Sequence, residues 1–313
     1  LDPVGLAGAK PPPAGTEQVG AGNAFNPAIT IIPDGLYTND TRRGRVGELL
    51  RTVDGFRATG AGLDVADSPR GFSLREVELA FSGAVDPYFD AWATFGIADG
   101  EIEAEEVFVQ TRRLLPGLQV RAGRFFSGIG YLNRQHTHQW AFVDQALPYE
   151  ALFGGRLEET GVQVTWLPAL PVYLQLGFEA LQGENPLIAN QLAESNADRL
   201  EQTAGPRLFT GFVKLAPELG YDHTLQVGAS FGRSRSHQET AVAPSEPVGE
   251  LFEGTAWFLG AEGIWRYDSG RQYGERDVTL VGEYFYRVKD LDGTTSAMPP
   301  AMRVSRQDGI YVQ

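Results

Sequence analysis

The sequence has 313 residues, of which 42% are hydrophobic, 38 are glycine and none is cysteine, and its formal net charge is −14. Without cysteine these residues form no disulfide framework and no thiolate metal site or nucleophile. The negative charge argues against a nucleic-acid partner, which needs a basic surface. No run of about 18 apolar residues occurs, so a spanning helix is excluded. A large soluble β protein and an outer-membrane β-barrel both remain compatible with this composition.

The chain begins with a segment rich in proline and glycine, residues 1–25, which we interpret as the flexible leader of a mature protein. Residues 26–313 alternate apolar and polar side chains in short stretches, which predicts β-strands. In chain order the predicted strands cover residues 26–37, 72–85, 88–98, 103–112, 118–126, 158–167, 172–181, 207–215, 224–232, 255–266, 278–288 and 309–313. We interpret the stretches between them, including 233–253 and 289–306, as loops.

The connections between these strands are sorted by length. Long ones follow Tyr37, Phe126, Leu181, Gly232 and Val288, whereas tight turns lie at Asp86, Pro116, Pro168, Pro217 and Ser269. Only the Asp99-Gly100 turn breaks the alternation. Short turns at one end and long loops at the other are typical of outer-membrane barrels, and a β-sandwich has no reason to sort its loops in this way. We therefore predict an all-β, transmembrane, antiparallel up-and-down β-barrel of about 12 or more strands.

The last predicted strand, 309–313, stops half-way across a membrane, because a crossing takes about 9–11 residues. Bacterial barrels of this kind also close with an even number of strands. We therefore expect that residues 26–313 form an incomplete barrel and that further C-terminal strands close it.

Several of these stretches resemble one group of porin-like proteins. They are FNPAITIIPDGLY, GFSLREVELAFSGAVDPYFDAWATFGI, GVQVTWLPA and, most specifically, GRFFSGIGYLN with the following QHTHQW and FVD. The group is labelled zinc-regulated TonB-dependent outer-membrane receptors and is distantly similar to phosphate-selective porins. The resemblance covers about residues 26–181 and implies an outer-membrane barrel of a Gram-negative bacterium. The sequence departs from TonB-dependent receptors because the residues before Asn26 have no pattern of a plug domain.

A long aromatic segment, residues 127–157, carries two of the four histidines. Long aromatic loops usually fold back onto the protein, so we expect this one to fold into the barrel and narrow its lumen. The predicted constriction consists of Arg121, Arg124, Tyr131, Asn133, Arg134, His136, His138, Trp140 and Asp144. Acidic residues on neighbouring strands would either set up a transverse field with the arginines or form salt bridges that hold the loop.

His136 and His138 are two residues apart, so in an extended segment they point to the same side. With Asp144 or Glu150 they would form a His/His/carboxylate site for zinc or copper. The alternative is that the two imidazoles form hydrogen bonds across the lumen and pin the loop in place.

These features predict an outer-membrane channel for passive or selective diffusion of small solutes or ions. The negative charge favours cations or neutral solutes over anions. One alternative is a metal-linked uptake receptor or metal-binding barrel, and another is a structural barrel that scaffolds an envelope component. The catalytic motifs of hydrolases, metalloproteases and nucleotide-binding enzymes are absent from the sequence, so we do not expect an enzyme. The expected partners are outer-membrane lipid or lipopolysaccharide, the transported solutes, and either further copies of the chain or an envelope protein.

Overall fold

The chain folds into one antiparallel β-sheet of 13 strands, seen in a computed structural model. The structure describes residues 27–39, 70–98, 100–112, 114–192, 200–241, 250–271, 275–294 and 302–313. The predicted leader, residues 1–25, lies outside these ranges, and so does Asp99 of the short turn.

The strands follow one another across the sheet in chain order. They are β1 (Ala28–Thr38), β2 (Gly71–Ala84), β3 (Phe89–Ala98), β4 (Glu101–Thr111), β5 (Leu118–Phe126), β6 (Glu158–Trp166), β7 (Tyr173–Leu181), β8 (Leu208–Ala216), β9 (His223–Ser234), β10 (His237–Ala241), β11 (Glu250–Tyr267), β12 (Val278–Gly293) and β13 (Met302–Val312). β10 continues the line of β9 along β11, so the path across the sheet has 12 positions. The all-β class, the up-and-down order and the strand number confirm the sequence prediction.

The two faces of the sheet differ in the way a membrane-facing wall requires. Along β9, Val227 and Phe231 are exposed while Gln226 and Ser230, at positions of the other parity, are buried, as period-two alternation demands. The exposed face also carries Ile29, Ile31, Phe72, Leu74, Phe178, Leu259, Ile310 and Val312. The opposite face carries the buried polar residues Glu78, Gln163, Glu179, Thr210, Lys214, Glu283 and Arg287. Apolar outside and polar inside is the pattern of a transmembrane β-barrel wall.

The sheet curls around residues 127–157, which we call the inner segment. Arg75 of β2, near one edge of the sheet, donates hydrogen bonds to the carbonyl oxygens of Thr137 and Val143 in this segment. At the other edge, a Cβ added at Gly309 of β13 would lie 3.0 Å from Cβ of Pro148. One segment touches both ends of a sheet only if the sheet wraps around it. β1 and β13 are the edge strands and do not pair with each other among the described residues.

The main apolar core lies inside this curl, where the inner segment forms helix α1 (Leu147–Phe153). α1 begins with Pro148 in its first turn and ends at Gly154, whose φ of 70° permits the left-handed cap. Phe153 packs edge-on against Phe258 and Phe285, with ring centroids 5.1 and 5.2 Å apart. No helix in the described residues is both long and apolar enough to cross a membrane.

Two stretches predicted as loops are partly strands, and this corrects the sequence analysis. Within 233–253 the structure has the end of β9, then β10 and the start of β11, and within 289–306 it has the end of β12 and the start of β13. β13 is therefore an 11-residue strand and does not stop half-way. In β10 and at the end of β12 polar residues occupy both faces, so the alternation disappears although backbone pairing continues.

Candidate functional site

Asn133 closes the base of the inner segment. Its side chain is fully buried, and Nδ2 donates to the carbonyl oxygens of Ser127 and Leu157, both at 2.9 Å. Its Oδ1 accepts from the backbone N–H of Leu157 at 2.7 Å. Three hydrogen bonds thus join the first and last turns of the segment and make it a compact unit. The structure places Asn133 inside the curl of the sheet, where it clamps the two ends of the inner segment together.

Two buried wall carboxylates hold the start of the inner segment. Glu179 of β7 accepts hydrogen bonds from the Ser127 hydroxyl and from the Gly128 N–H, the latter at 2.8 Å. Glu283 of β12 accepts from the N–H groups of Tyr131 and Leu132, at 2.6 and 3.3 Å. Both carboxylates are at least 97% buried. A buried donor or acceptor is costly to leave without its partner, so these hydrogen bonds favour the docked position of the segment.

Glu283 also reaches helix α1, because it accepts from the Tyr149 hydroxyl at 2.8 Å. Burial, together with the nearby Glu283 carboxylate, raises the pKa of Tyr149 well above its usual range. The phenol therefore stays protonated and remains a donor. Glu283 thus joins both halves of the inner segment to one point on the wall.

Two buried basic side chains complement these acids by binding carbonyl oxygens. Lys214 of β8 donates from Nζ to the carbonyl of Gly130 at 2.6 Å. Arg287 of β12 donates from Nη1 to the carbonyls of Leu152 and Leu187, at 2.6 and 3.1 Å. The inner segment is consequently fixed through its backbone, by acceptors for its N–H groups and donors for its carbonyls.

A cluster of two imidazoles and three carboxylates fixes the middle of the inner segment on the opposite wall. Nδ1 of His136 lies 3.0 Å from Oε2 of Glu105 and 3.2 Å from Oε2 of Glu78. Nε2 of His136 lies 3.3 Å from Oε2 of Glu106, and Nδ1 of His138 lies 3.1 Å from Oε2 of Glu78. We call these five residues the histidine–glutamate cluster.

Burial alone would lower the pKa of His136, but the adjoining carboxylates of Glu105, Glu106 and Glu78 outweigh it. Together they raise the pKa of His136 to about 10. His136 is therefore an imidazolium at neutral pH when no metal is bound, and both of its ring nitrogens face acceptors. This arrangement corresponds to the loop-pinning alternative of the sequence analysis.

Three residues of the cluster could also hold a metal ion. The ligand atoms of Glu78, Glu105 and His136 lie within 4.8 Å of one another. Oε2 of Glu78 is buried and makes no hydrogen bond of good geometry, although two imidazole nitrogens lie near it. His136 thus belongs to this group of three. His138 lies outside it, although its Nδ1 is 3.1 Å from Oε2 of Glu78 and its ring stacks on that of His136. Asp144 is exposed and also lies outside the group. One nitrogen and two carboxylate ligands suit zinc, with a position left for water or solute.

The remaining predicted constriction residues differ in their positions. Arg121 points inward, with its guanidinium 4.1 Å from the ring centroid of Phe108. Trp140 lies inside the curl, where its Nε1 donates to the carbonyl of Gln135 at 3.3 Å. Tyr131 and Arg134 are half-buried in the inner segment, Arg134 at the end of a short 3-10 turn.

Arg124 was predicted to line the constriction, but it lies on the outward face of the sheet. It pairs across strands with Val107 and Thr160, which are both exposed on the outward face, and forms a salt bridge with Glu158 at 2.6 Å. Residues 121 and 124 are an odd number of positions apart, so period-two alternation puts them on opposite faces.

Sequence reasoning missed the wall residues that hold the inner segment, namely Glu179, Lys214, Glu283 and Arg287. Each is a charged residue at an inward position of a strand whose alternate residues are apolar. That pattern could have marked them as lumen-facing, but their partners lie 51 to 152 residues away in the chain.

Comparisons with known proteins give two similarities. No protein-family model matches the chain. An uncharacterized protein of Aquifex aeolicus (strain VF5) is 35% identical over 299 residues, which cover 93% of this chain and 61% of that protein. The chain thus spans less than two thirds of this relative. The crystal structure of the outer membrane channel DcaP of Acinetobacter baumannii has 12% identity and a TM-score of 0.29, covering 92% of this chain and 98% of that one. Neither similarity supports the narrower label of a zinc-regulated TonB-dependent receptor.

Proposed function

We propose that this protein is an outer-membrane channel for small solutes or ions, with the inner segment as its constriction. The observation that carries the proposal is the attachment of the inner segment to charged residues on the inner face of a sheet whose outer face is apolar. A soluble protein would gain nothing from an apolar exterior around a polar, charged interior. In a bilayer the same arrangement places apolar side chains against lipid and polar side chains against water or solute.

The inner segment has an apolar surface on one side of the proposed lumen and an acidic surface on the other. On the β12 side α1 packs into the aromatic cluster and excludes water. On the β2 and β4 side the histidine–glutamate cluster presents carboxylates to the interior. Solutes would therefore pass the acidic side, which together with the net charge of −14 favours cations or neutral solutes.

Conductance of the full-length protein in a planar bilayer tests the proposal. We expect discrete current steps and, across a potassium chloride gradient, a reversal potential of the sign that indicates cation selectivity. A protein that inserts but conducts no current would overturn the channel and favour a structural barrel, the scaffold alternative.

Binding of a divalent cation is a second candidate function, because of the geometry around Glu78. A buried carboxylate oxygen without a good hydrogen bond, beside a second carboxylate and an imidazole, offers ligand atoms of the kinds that bind zinc. The ligands would be Glu78, Glu105 and His136. They lie beside the proposed permeation route, so a bound cation would narrow it.

Metal content of the purified protein after equilibration with zinc tests this second function. We expect about one zinc ion per chain in the wild type and little in H136A, since the site loses its nitrogen ligand. H223A is the matched control, because His223 is exposed and stacks on Trp265 at the short-turn end. Equal zinc content in the wild type and H136A would rule out this site.

A further inference from the structure

Two arginines interrupt the outward-facing apolar band near its long-loop end. Arg233 lies near the end of β9 that leads into the long connection. The strand register puts Phe209 on one side of it and Trp257 on the other, on the exposed face. Arg235 follows directly after β9 and is exposed as well. Among the described residues neither side chain has a hydrogen-bond or ion-pair partner.

An open groove runs below these arginines on the same face. Its walls are the rings of Phe178, Phe209 and Phe231, and its volume is about 610 Å³. Gly211 forms the floor, where an added Cβ would meet only a backbone oxygen at 3.6 Å. The absence of a side chain at this position leaves a slot between three aromatic rings. Arg233 and Arg235 both line the rim of the groove.

The apolar groove and its basic rim are together suited to bind an amphipathic anion. An apolar slot on a lipid-facing surface suits an acyl chain, because its aromatic walls can pack closely against the methylenes, and van der Waals packing is what favours apolar contacts within a bilayer. Two exposed guanidinium groups that have no acidic partner among the described residues suit phosphate oxygens, which they bind through parallel N–H donors. The long-loop end of a barrel faces the outside of the cell, so the ligand would come from the outer leaflet.

We infer that this groove is a binding site for a phosphorylated, acylated glycolipid of the lipid A type. An acyl chain occupies the slot over Gly211, and a phosphate contacts Arg233 and Arg235. The inference rests on the proposed outer-membrane location and adds a specific lipid partner to it. The site would fix the orientation of the barrel at the level where acyl chains meet the charged headgroups.

Native mass spectrometry of the detergent-solubilised full-length protein tests the inference. The probes are bis-phosphorylated lipid A, the same lipid after dephosphorylation, and phosphatidylglycerol. We expect lipid A to bind in a one-to-one complex, with R233Q/R235Q weakening it about tenfold or more. R271Q is the control, because Arg271 is exposed in the connection between β11 and β12 at the opposite end.

A second variant, G211L, fills the slot and leaves both arginines in place. It should weaken both lipid A and its dephosphorylated form, whereas R233Q/R235Q should affect only the phosphorylated lipid. Wild-type affinity in R233Q/R235Q, or equal binding of the dephosphorylated lipid or of phosphatidylglycerol, would overturn the inference. Channel conductance is recorded in parallel. If conductance persists while lipid binding fails, the channel stands without the lipid site, and if the protein does not insert, both fail.

Discussion

Replacing both Glu179 and Glu283 with glutamine should release the inner segment and raise single-channel conductance severalfold. Glutamine keeps the volume but turns one acceptor oxygen of each group into a donor, which then faces the donors of Ser127, Gly128 or Leu132. Leaving a buried hydrogen-bonding group without its partner costs roughly 1–3 kcal/mol. Loss of two such hydrogen bonds shifts the ratio of docked to released inner segment by about thirtyfold or more.

The measurement is conductance in a planar bilayer, with E239Q as the matched control. Glu239 is also a buried wall carboxylate, but it accepts from Lys289 at 2.8 Å and makes no hydrogen bond to the inner segment. E239Q should therefore conduct like the wild type. Unchanged conductance in E179Q/E283Q, in protein that remains folded, would show that these carboxylates do not control the constriction.

Removing His136 should destabilise the protein more than removing any exposed histidine. In H136A the carboxylates of Glu78, Glu105 and Glu106 remain close together in a buried site without their cationic partner. Breaking a buried ion pair by deleting one partner costs about 3–5 kcal/mol. The free energy of unfolding, from urea titration in detergent at neutral pH, should fall by this amount.

A second substitution separates charge repulsion from loss of packing. H136A/E105Q removes one of the uncompensated charges and should recover part of the lost stability, whereas a packing defect would remain. H223A should change the free energy of unfolding by less than about 1 kcal/mol, as expected for an exposed side chain. If H136A and H223A have the same stability, the cluster does not hold the inner segment.

The wall of the barrel could be predicted from the sequence because it depends on local periodicity. In β7, Leu176 and Phe178 alternate with Gln175 and Glu179, and this pattern alone predicts both the strand and its two faces. Alternating connection lengths then predict the up-and-down order. The prediction fails where polar residues occupy both faces, as in β10 and the last residues of β12.

The arrangement of the inner segment could be predicted only in part. Its aromatic content predicted that it folds inward, but the glutamates that hold it lie on strands far away in the chain. His136 has three carboxylates near it in space and His138 has one of them, Glu78. Sequence spacing suggested Asp144 or Glu150 as the carboxylate partner, where the structure supplies Glu78 and Glu105. Such pairings depend on how the sheet curls, which no local pattern specifies.

A reversible tether between α1 and β13 tests most directly whether the inner segment restricts conduction from within the sheet. The sequence contains no cysteine, so P148C/G309C introduces a single pair. A Cβ added at Gly309 would lie 3.0 Å from Cβ of Pro148, so a small outward shift of the backbone brings the pair to the roughly 3.8 Å of a disulfide. The pair is placed in the E179Q/E283Q background and its current is recorded under oxidising and then reducing conditions. We predict that oxidation lowers the current to the wild-type level and that reduction raises it again. A disulfide that forms without changing the current, or fails to form, would contradict a constriction made by the inner segment.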